Sequence, residues 1–276
     1  MIDDERGRID YDEGGEGPTI VLVPGSCSTG AAWRPIVAQW QGGFRCVTTS
    51  LLGYGGTTER RTPQDSDIAR EAEIVETVIR QAARPVHLVG HSFGGLVALA
   101  VALRKRVALR SLVIVEAPAA ELLRHAGQHE DYRAFRTMTD AYFEAFGAGD
   151  SAAIETMIDF YGGAGTFAAW PPRVRRYAIE TTAVNILDWA SAYGFELTPA
   201  ALAKVDAPAL VLWGAISHPS VQRANALLSR YIPNASGIPI AGAAHFMTST
   251  HAPDVAGVIA QHVARMEPAH RPMVDA

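Results

Sequence analysis

The chain reads as an α/β protein with a mostly parallel, doubly wound sheet and an inserted helical cap. Three observations carry this reading. Short apolar runs alternate with segments of helical spacing at both ends of the chain. The middle of the chain loses the strand-like runs. A glycine-flanked serine sits at a junction between one apolar run and the next helix. The 276 residues suffice for one large α/β domain with an inserted subdomain.

The alternation runs in order. Thr19–Val23 is a short apolar run between Gly-Pro and Pro-Gly, which predicts a buried parallel strand. A helix follows over Ala31–Gln41, a strand over Arg45–Ser50, and a Gly-rich turn over Gly53–Gly56. Residues Asp67–Ala83 place Ile68, Ala72, Val75, Val78 and Ile79 on one helical face. Val86–Val89 is the next strand, Leu96–Leu103 the next helix, and Arg110–Val115 another strand. Right-handed crossovers of this kind give a parallel sheet covered on both faces. The pattern resumes late, with strands at Ala209–Trp213 and Gly237–Ile240 and helices at Val221–Tyr231 and Pro253–Met266. Glu267–Ala276 is expected to be a loose tail.

Between Ala117 and Ala203 the chain is helical and carries 13 of the 22 Phe, Tyr and Trp residues. Breaks fall at Gly162–Thr166 and Pro171-Pro172. A helical insertion between strands of one sheet reads as a cap. The expected division is a core of residues 1–117 and 204–276 and a cap of residues 118–203. The cap aromatics Tyr142, Phe143, Phe146, Trp170, Trp189, Tyr193 and Phe195 suit an apolar pocket as a set. Taken singly, each suits packing. Arg173, Arg175 and Arg176 read as a solvated helix face.

Composition excludes some partners. The formal net charge is −5 and no dense Lys/Arg stripe occurs, which argues against nucleic acid or an anionic membrane. No apolar run approaches the ~18 residues of a membrane span. Met1–Asp12 is acidic and lacks the apolar stretch of a secretory leader. Two cysteines, Cys27 and Cys46, predict a reducing, cytoplasmic setting and no metal cluster. No cofactor or metal is expected, and the partner is a small-molecule substrate. The sequence sets no oligomeric state.

The most informative stretch is Val86–Gly95, which contains Gly90-His91-Ser92-Phe93-Gly94. An apolar strand precedes it and an apolar helix follows. A serine at such a tight turn projects its hydroxyl from the sheet edge, and the crowding demands glycine two residues to either side. The helix beginning beyond Ser92 turns its N-terminal N–H groups toward the site. The bland alternative is a Gly-rich turn with an incidental serine.

With Pro24-Gly25 after the first clear strand and Gly242-Ala243-Ala244-His245 near the end, the chain resembles the α/β-hydrolase superfamily from Thr19 to Met266. The resemblance implies the fold and a nucleophile–acid–histidine triad in that chain order. It makes Ser92 the nucleophile and His245, after the last strand, the base. It also implies two backbone oxyanion donors, Phe93 and Ser26, with Cys27 an alternative to Ser26 by one register. Cys27 is read as a bystander rather than a second nucleophile, and Trp33 as packing. A histidine base predicts that activity falls below about pH 6, where imidazole is protonated.

The acid departs from the family pattern. Most relatives carry it just beyond the strand corresponding to Ala209–Trp213, where this chain has Ser217, followed by His218. Neither can stabilise an imidazolium as a carboxylate does. Some relatives, haloalkane dehalogenases among them, carry the acid at the end of the preceding strand, where this chain has Glu116. A glutamate ending an apolar parallel strand is costly unless paired or at the sheet's carboxyl edge. Glu116 is therefore the expected acid. The competing roles are a helix cap, an Arg partner, or no acid at all and a Ser–His dyad.

These residues point to a serine hydrolase cleaving an ester or related acyl bond of a small to medium, partly apolar substrate through an acyl-enzyme. A serine nucleophile argues against dehalogenase and epoxide hydrolase chemistry, which the resemblance associates with an aspartate. Two other readings stay open on the same fold: a C–C bond hydrolase or lyase, and a non-catalytic ligand receptor.

Overall fold

The computed structural model describes residues 1–4 and 7–267. The strands are β1 (Ile2–Asp4), β2 (Gly7–Ile9), β3 (Asp12–Gly14), β4 (Thr19–Val23), β5 (Arg45–Thr48), β6 (Val86–His91), β7 (Leu109–Val115), β8 (Ala209–Gly214) and β9 (Ala235–Ile240). β1 and β2 form a small antiparallel ribbon. The other seven form one sheet in the order β3-β5-β4-β6-β7-β8-β9. Only β3 runs antiparallel, at the edge beside β5; the remaining pairings are parallel.

Helices cover both faces. They are α1 (Arg34–Gln39), α2 (Ile68–Ala82), α3 (Phe93–Arg104), α4 (Ala120–His125), α5 (His129–Gly147), α6 (Ile154–Gly162), α7 (Thr166–Ala169), α8 (Pro172–Glu180), α9 (Thr182–Gly194), α10 (Pro199–Leu202), α11 (Pro219–Tyr231), α12 (Met247–Thr250) and α13 (Ala252–Met266). Side chains alternate along the strands between two cores. In β4, Val21 and Val23 join the core with α2, α3 and α11, while Ile20 and Leu22 join the one with α1 and α13. Both faces are therefore apolar, and the strands read as continuous hydrophobic runs rather than alternating ones.

The predicted elements lie where the periodicity placed them, with shifts at the ends. The helix over Ala31–Gln41 divides into a 3₁₀ turn at Gly30–Trp33 and α1. α2 starts one residue later than expected because Asp67 caps it, its carboxylate accepting the Ala69 N–H at 2.8 Å. β1, β2 and β3 went unread because they are three residues long, polar and largely exposed. Glu267, expected in the loose tail, is anchored: its carboxylate lies 2.9 Å from Nε2 of the buried His87. The rest of that tail lies outside the described residues.

Between β7 and β8 the described chain is helical throughout, from α4 to α10, with breaks at Gly163–Gly165 and Pro171. Its aromatics pack inward: Phe135, Tyr142, Tyr161, Phe167 and Trp189 are buried in the same core as α2 and α3.

The topology also locates a crevice. β4 has β5 on one side and β6 on the other. The chain leaves β4 toward one edge and later returns on its other side, so the loops after β4 and β6 diverge at the carboxyl edge of the sheet. Such a switch point is where open α/β sheets bind ligands.

Candidate active site

Ser92 occupies that crevice, between β6 and α3, with φ 54° and ψ −128°. A non-glycine residue with left-handed φ at a strand end signals a strained conformation that surroundings must enforce. Here they do. The Ser92 N–H donates to the Val115 carbonyl at 2.9 Å. A Cβ on Gly90 would lie 2.2 Å from the Gly94 carbonyl oxygen, and a Cβ on Gly94 would lie 2.2 Å from that of Pro24. The two glycines are thus required by backbone packed against backbone.

Glu116 follows β7 immediately and also has left-handed φ, 48°. Its N–H donates to the Leu212 carbonyl at 2.7 Å, which fixes the strand end against β8. The carboxylate is fully buried and well supplied with donors. It accepts from the Gly214 N–H at 2.5 Å and from the Ser217 hydroxyl at 2.8 and 2.9 Å. Nδ1 of His245 lies 2.8 Å from Oε1. A carboxylate beside Nδ1 suits the tautomer in which Nδ1 donates and Nε2 accepts. Nε2 lies 2.9 Å from the Ser92 hydroxyl. The structure thus brings Ser92, His245 and Glu116 into one chain of hydrogen bonds from three strand ends.

His245 is held on several sides. The neutral His91 ring donates from Nε2 to the His245 carbonyl at 3.0 Å. Burial, then the nearby His245, push the His91 imidazole down to about 3, so it stays uncharged. The Tyr161 ring from α6 lies against the His245 ring with centroids 4.2 Å apart. The Tyr161 hydroxyl is buried and has no hydrogen-bond partner among the described residues.

The loop after β4 lies against Ser92. A Cβ on Gly25 would approach the Ser92 Cβ to 2.8 Å, so glycine is needed there as well. Ser26 follows directly, and its hydroxyl donates to Asp188 of α9 at 2.5 Å. Phe93, the other expected donor, is the first residue of α3 and is buried. Burial pushes the Cys27 thiol up to about 12, which leaves it protonated and unreactive at neutral pH. Trp33 is buried and meets His91 edge-on at 6.5 Å.

Three residues of this neighbourhood escaped sequence reasoning. Ser217 was seen only as a missing aspartate, although its hydroxyl donates to the Glu116 carboxylate. His91 was one histidine among nine. Asp188 had a legible signal: it is a charge in the otherwise apolar stretch Ile186-Leu187-Asp188-Trp189.

Residues 20–258 match the alpha/beta hydrolase family. The chain belongs to that family. Among curated proteins, a 114-residue region is 30% identical to haloalkane dehalogenase 2 of Mycobacterium bovis and covers 41% of this chain and 40% of that one. A 101-residue region is 36% identical to the pimeloyl-[acyl-carrier protein] methyl ester esterase of Aliivibrio salmonicida, covering 37% and 36%. The chain thus spans about two fifths of the length of the curated relatives it matches. Among solved structures, an esterase from Exiguobacterium antarcticum superposes with a TM-score of 0.74 at 16% identity, over 94% of this chain and 96% of that one. At that identity the likeness speaks for the fold. Among the described residues no helix is long and apolar enough to cross a membrane.

Proposed function

We propose that this family member is a serine hydrolase that cleaves an ester or related acyl bond of a small to medium, partly apolar substrate. The observation that carries the proposal is the unbroken path Ser92 Oγ–His245 Nε2, His245 Nδ1–Glu116 Oε1, at 2.9 and 2.8 Å. Such a path converts a weak hydroxyl into a nucleophile, because the proton has a base to accept it and the resulting imidazolium has a carboxylate beside it.

In this reading Ser92 Oγ attacks the substrate carbonyl and its proton passes to His245 Nε2. The oxyanion is held by the N–H groups of Phe93 and Ser26, with the N-terminal end of α3 behind it. Collapse of the tetrahedral intermediate expels the alcohol, which takes the proton back from His245. A water molecule, deprotonated by the same imidazole, then releases the acid from Ser92. Residues 118–203 act as a cap over a core of residues 1–117 and 204–276. The aromatics of the cap supply the apolar walls of a small-molecule site. Both cysteines are free thiols, in keeping with a cytoplasmic setting.

The test is covalent. The protein is treated with a fluorophosphonate and the adduct mapped by mass spectrometry, beside Ser92→Ala and Glu116→Gln. We expect rapid modification at Ser92 in the wild type, none in the alanine variant and slowed reaction in the glutamine variant. Folded wild type that stays unmodified would return the chain to the receptor reading. A panel of esters beside diketones and cyanohydrins separates ester cleavage from C–C hydrolysis and lyase chemistry.

A further inference from the structure

Asp188 sits on α9 with its carboxylate buried, and three residues from two loops distant in sequence donate to it. The Ser26 hydroxyl, from the loop after β4, and the Tyr54 hydroxyl, from the loop after β5, reach Oδ2 at 2.5 and 2.6 Å. Arg61, from the loop before α2, reaches Oδ1 through Nη1 at 2.7 Å. Arg61 is itself buried and fixed, bonding Glu59 at 2.8 Å, the Leu52 carbonyl at 3.2 Å and pairing with Glu71 at 3.0 Å.

A buried ion pair of this kind is weak evidence for stability, since apolar residues of similar volume often serve as well. What it supplies here is position. The Ser26 hydroxyl is oriented by a carboxylate that belongs to the helical segment between β7 and β8, while Gly25 one residue earlier is wedged against Ser92. The loop therefore has one end set by the nucleophile and the next residue set by α9.

We propose that Asp188 is a positioning residue for the oxyanion site: it holds Ser26 so that the Ser26 N–H faces the substrate oxygen only while α9 is seated on the sheet. The inference rests on the hydrolase reading above. It ties oxyanion stabilisation to a carboxylate of the helical segment between β7 and β8.

Two variants test it. Ser26→Ala removes the hydroxyl and keeps the backbone N–H; it leaves Asp188 with Tyr54 and Arg61, so the fold is minimally disturbed. Asp188→Asn removes the acceptor charge. Turnover of p-nitrophenyl butyrate, affinity for phenylboronic acid as a tetrahedral mimic, and amide hydrogen exchange over residues 24–28 are measured for both and for the double variant. Removing an oxyanion donor outright costs about 10²–10³ in kcat. A donor left in place but released should cost less, roughly 10- to 100-fold, with KM changed by less than about threefold. Boronate affinity should fall by the same factor, and exchange at residues 24–28 should rise. The double variant should be no worse than Asp188→Asn, because both changes break one bond. A purely structural role predicts a lowered melting temperature with kcat intact well below it, and a wild-type Ser26→Ala; that outcome overturns the proposal. Should the wild type fail to label at Ser92, the hydrolase reading falls on that ground. Exchange then decides the latch separately, and unchanged exchange in Ser26→Ala removes it.

Discussion

At the scale of single residues, the proposed acid is the feature that distinguishes this site. Glu116 approaches His245 from the end of β7, and Ser217, at the position where relatives carry an aspartate, turns its hydroxyl to the same carboxylate. The longer glutamate side chain spans from one strand end to the histidine, and serine fills the vacated place as a donor. An aspartate there would face Glu116 at hydrogen-bond distance, and two carboxylates so close cannot both ionise without large cost. Ser217→Asp should therefore lower kcat at least tenfold at pH 7, with partial recovery at lower pH where the pair shares a proton. Activity at the wild-type level across pH 6–8 would contradict this geometry. Glu116→Gln keeps the shape but presents an amide that cannot hold the Nδ1 proton as a carboxylate does. We expect kcat to fall by about 10³–10⁴, in line with such a change in a Ser-His-Asp site, with circular dichroism and melting close to wild type. Turnover within a fewfold of wild type in the folded variant would exclude Glu116 as the acid.

At the scale of elements, the β6–Ser92–α3 turn and the loop after β4 are one packed unit. Their backbones touch, so the glycines are set by contact rather than by flexibility. A methyl group at position 94 would meet the Pro24 and Val23 carbonyl oxygens at 2.2 and 2.7 Å, and neither is the movable end of a side chain. Gly94→Ala should thus destabilise the protein by about 2 kcal/mol or more, read as a shift in the urea midpoint. It should also displace the loop that carries Ser26. A variant as stable as wild type would mean that the two segments slide apart more easily than their contact suggests. The G-x-S-x-G spacing was legible in the sequence because it is local. The partner of Gly94, lying in another strand, was not.

At the scale of the molecule, the buried cluster around Arg61 sets one guanidinium among the carboxylates Glu59, Glu71 and Asp188. Glu59 is partly exposed, but Glu71 and Asp188 are both buried against the one Arg61 cation, which favours a proton on one carboxyl. Burial, opposed by Arg61, pushes Glu71 up from 4.5 to about 8. Glu71 and Asp188 share Arg61 and titrate as a pair. The folded chain therefore holds a proton that the unfolded chain releases above pH 4.5. The stability associated with it is fully present below about 4.5 and is lost as pH rises toward 8. Glu71→Gln should abolish this slope: the wild-type minus variant difference in unfolding free energy should decline between pH 5 and 8 and level off above. Urea titrations at pH 5, 7 and 9 measure it, and a flat difference would show that Glu71 is ionised throughout.

What the sequence determined alone follows from periodicity and local crowding. Apolar runs such as Thr19–Val23 and Val86–Val89 are buried on both faces, and that burial writes a continuous signal into the chain. The serine turn is encoded by neighbours within two residues, and the loop at Gly242–His245 by its place after the last strand. The short polar strands β1 to β3 left no such signal, since they bury little. Tertiary structure alone decided which carboxylate reaches His245, because Glu116 and His245 lie 129 residues apart and meet through β8, which pairs with β7 on one side and with β9 on the other. It likewise decided that Asp188, 162 residues from Ser26, accepts a hydrogen bond from the loop beside Ser92. Hydrogen bonds between distant segments depend on how strands are ordered across the sheet, and that order has no counterpart in local spacing.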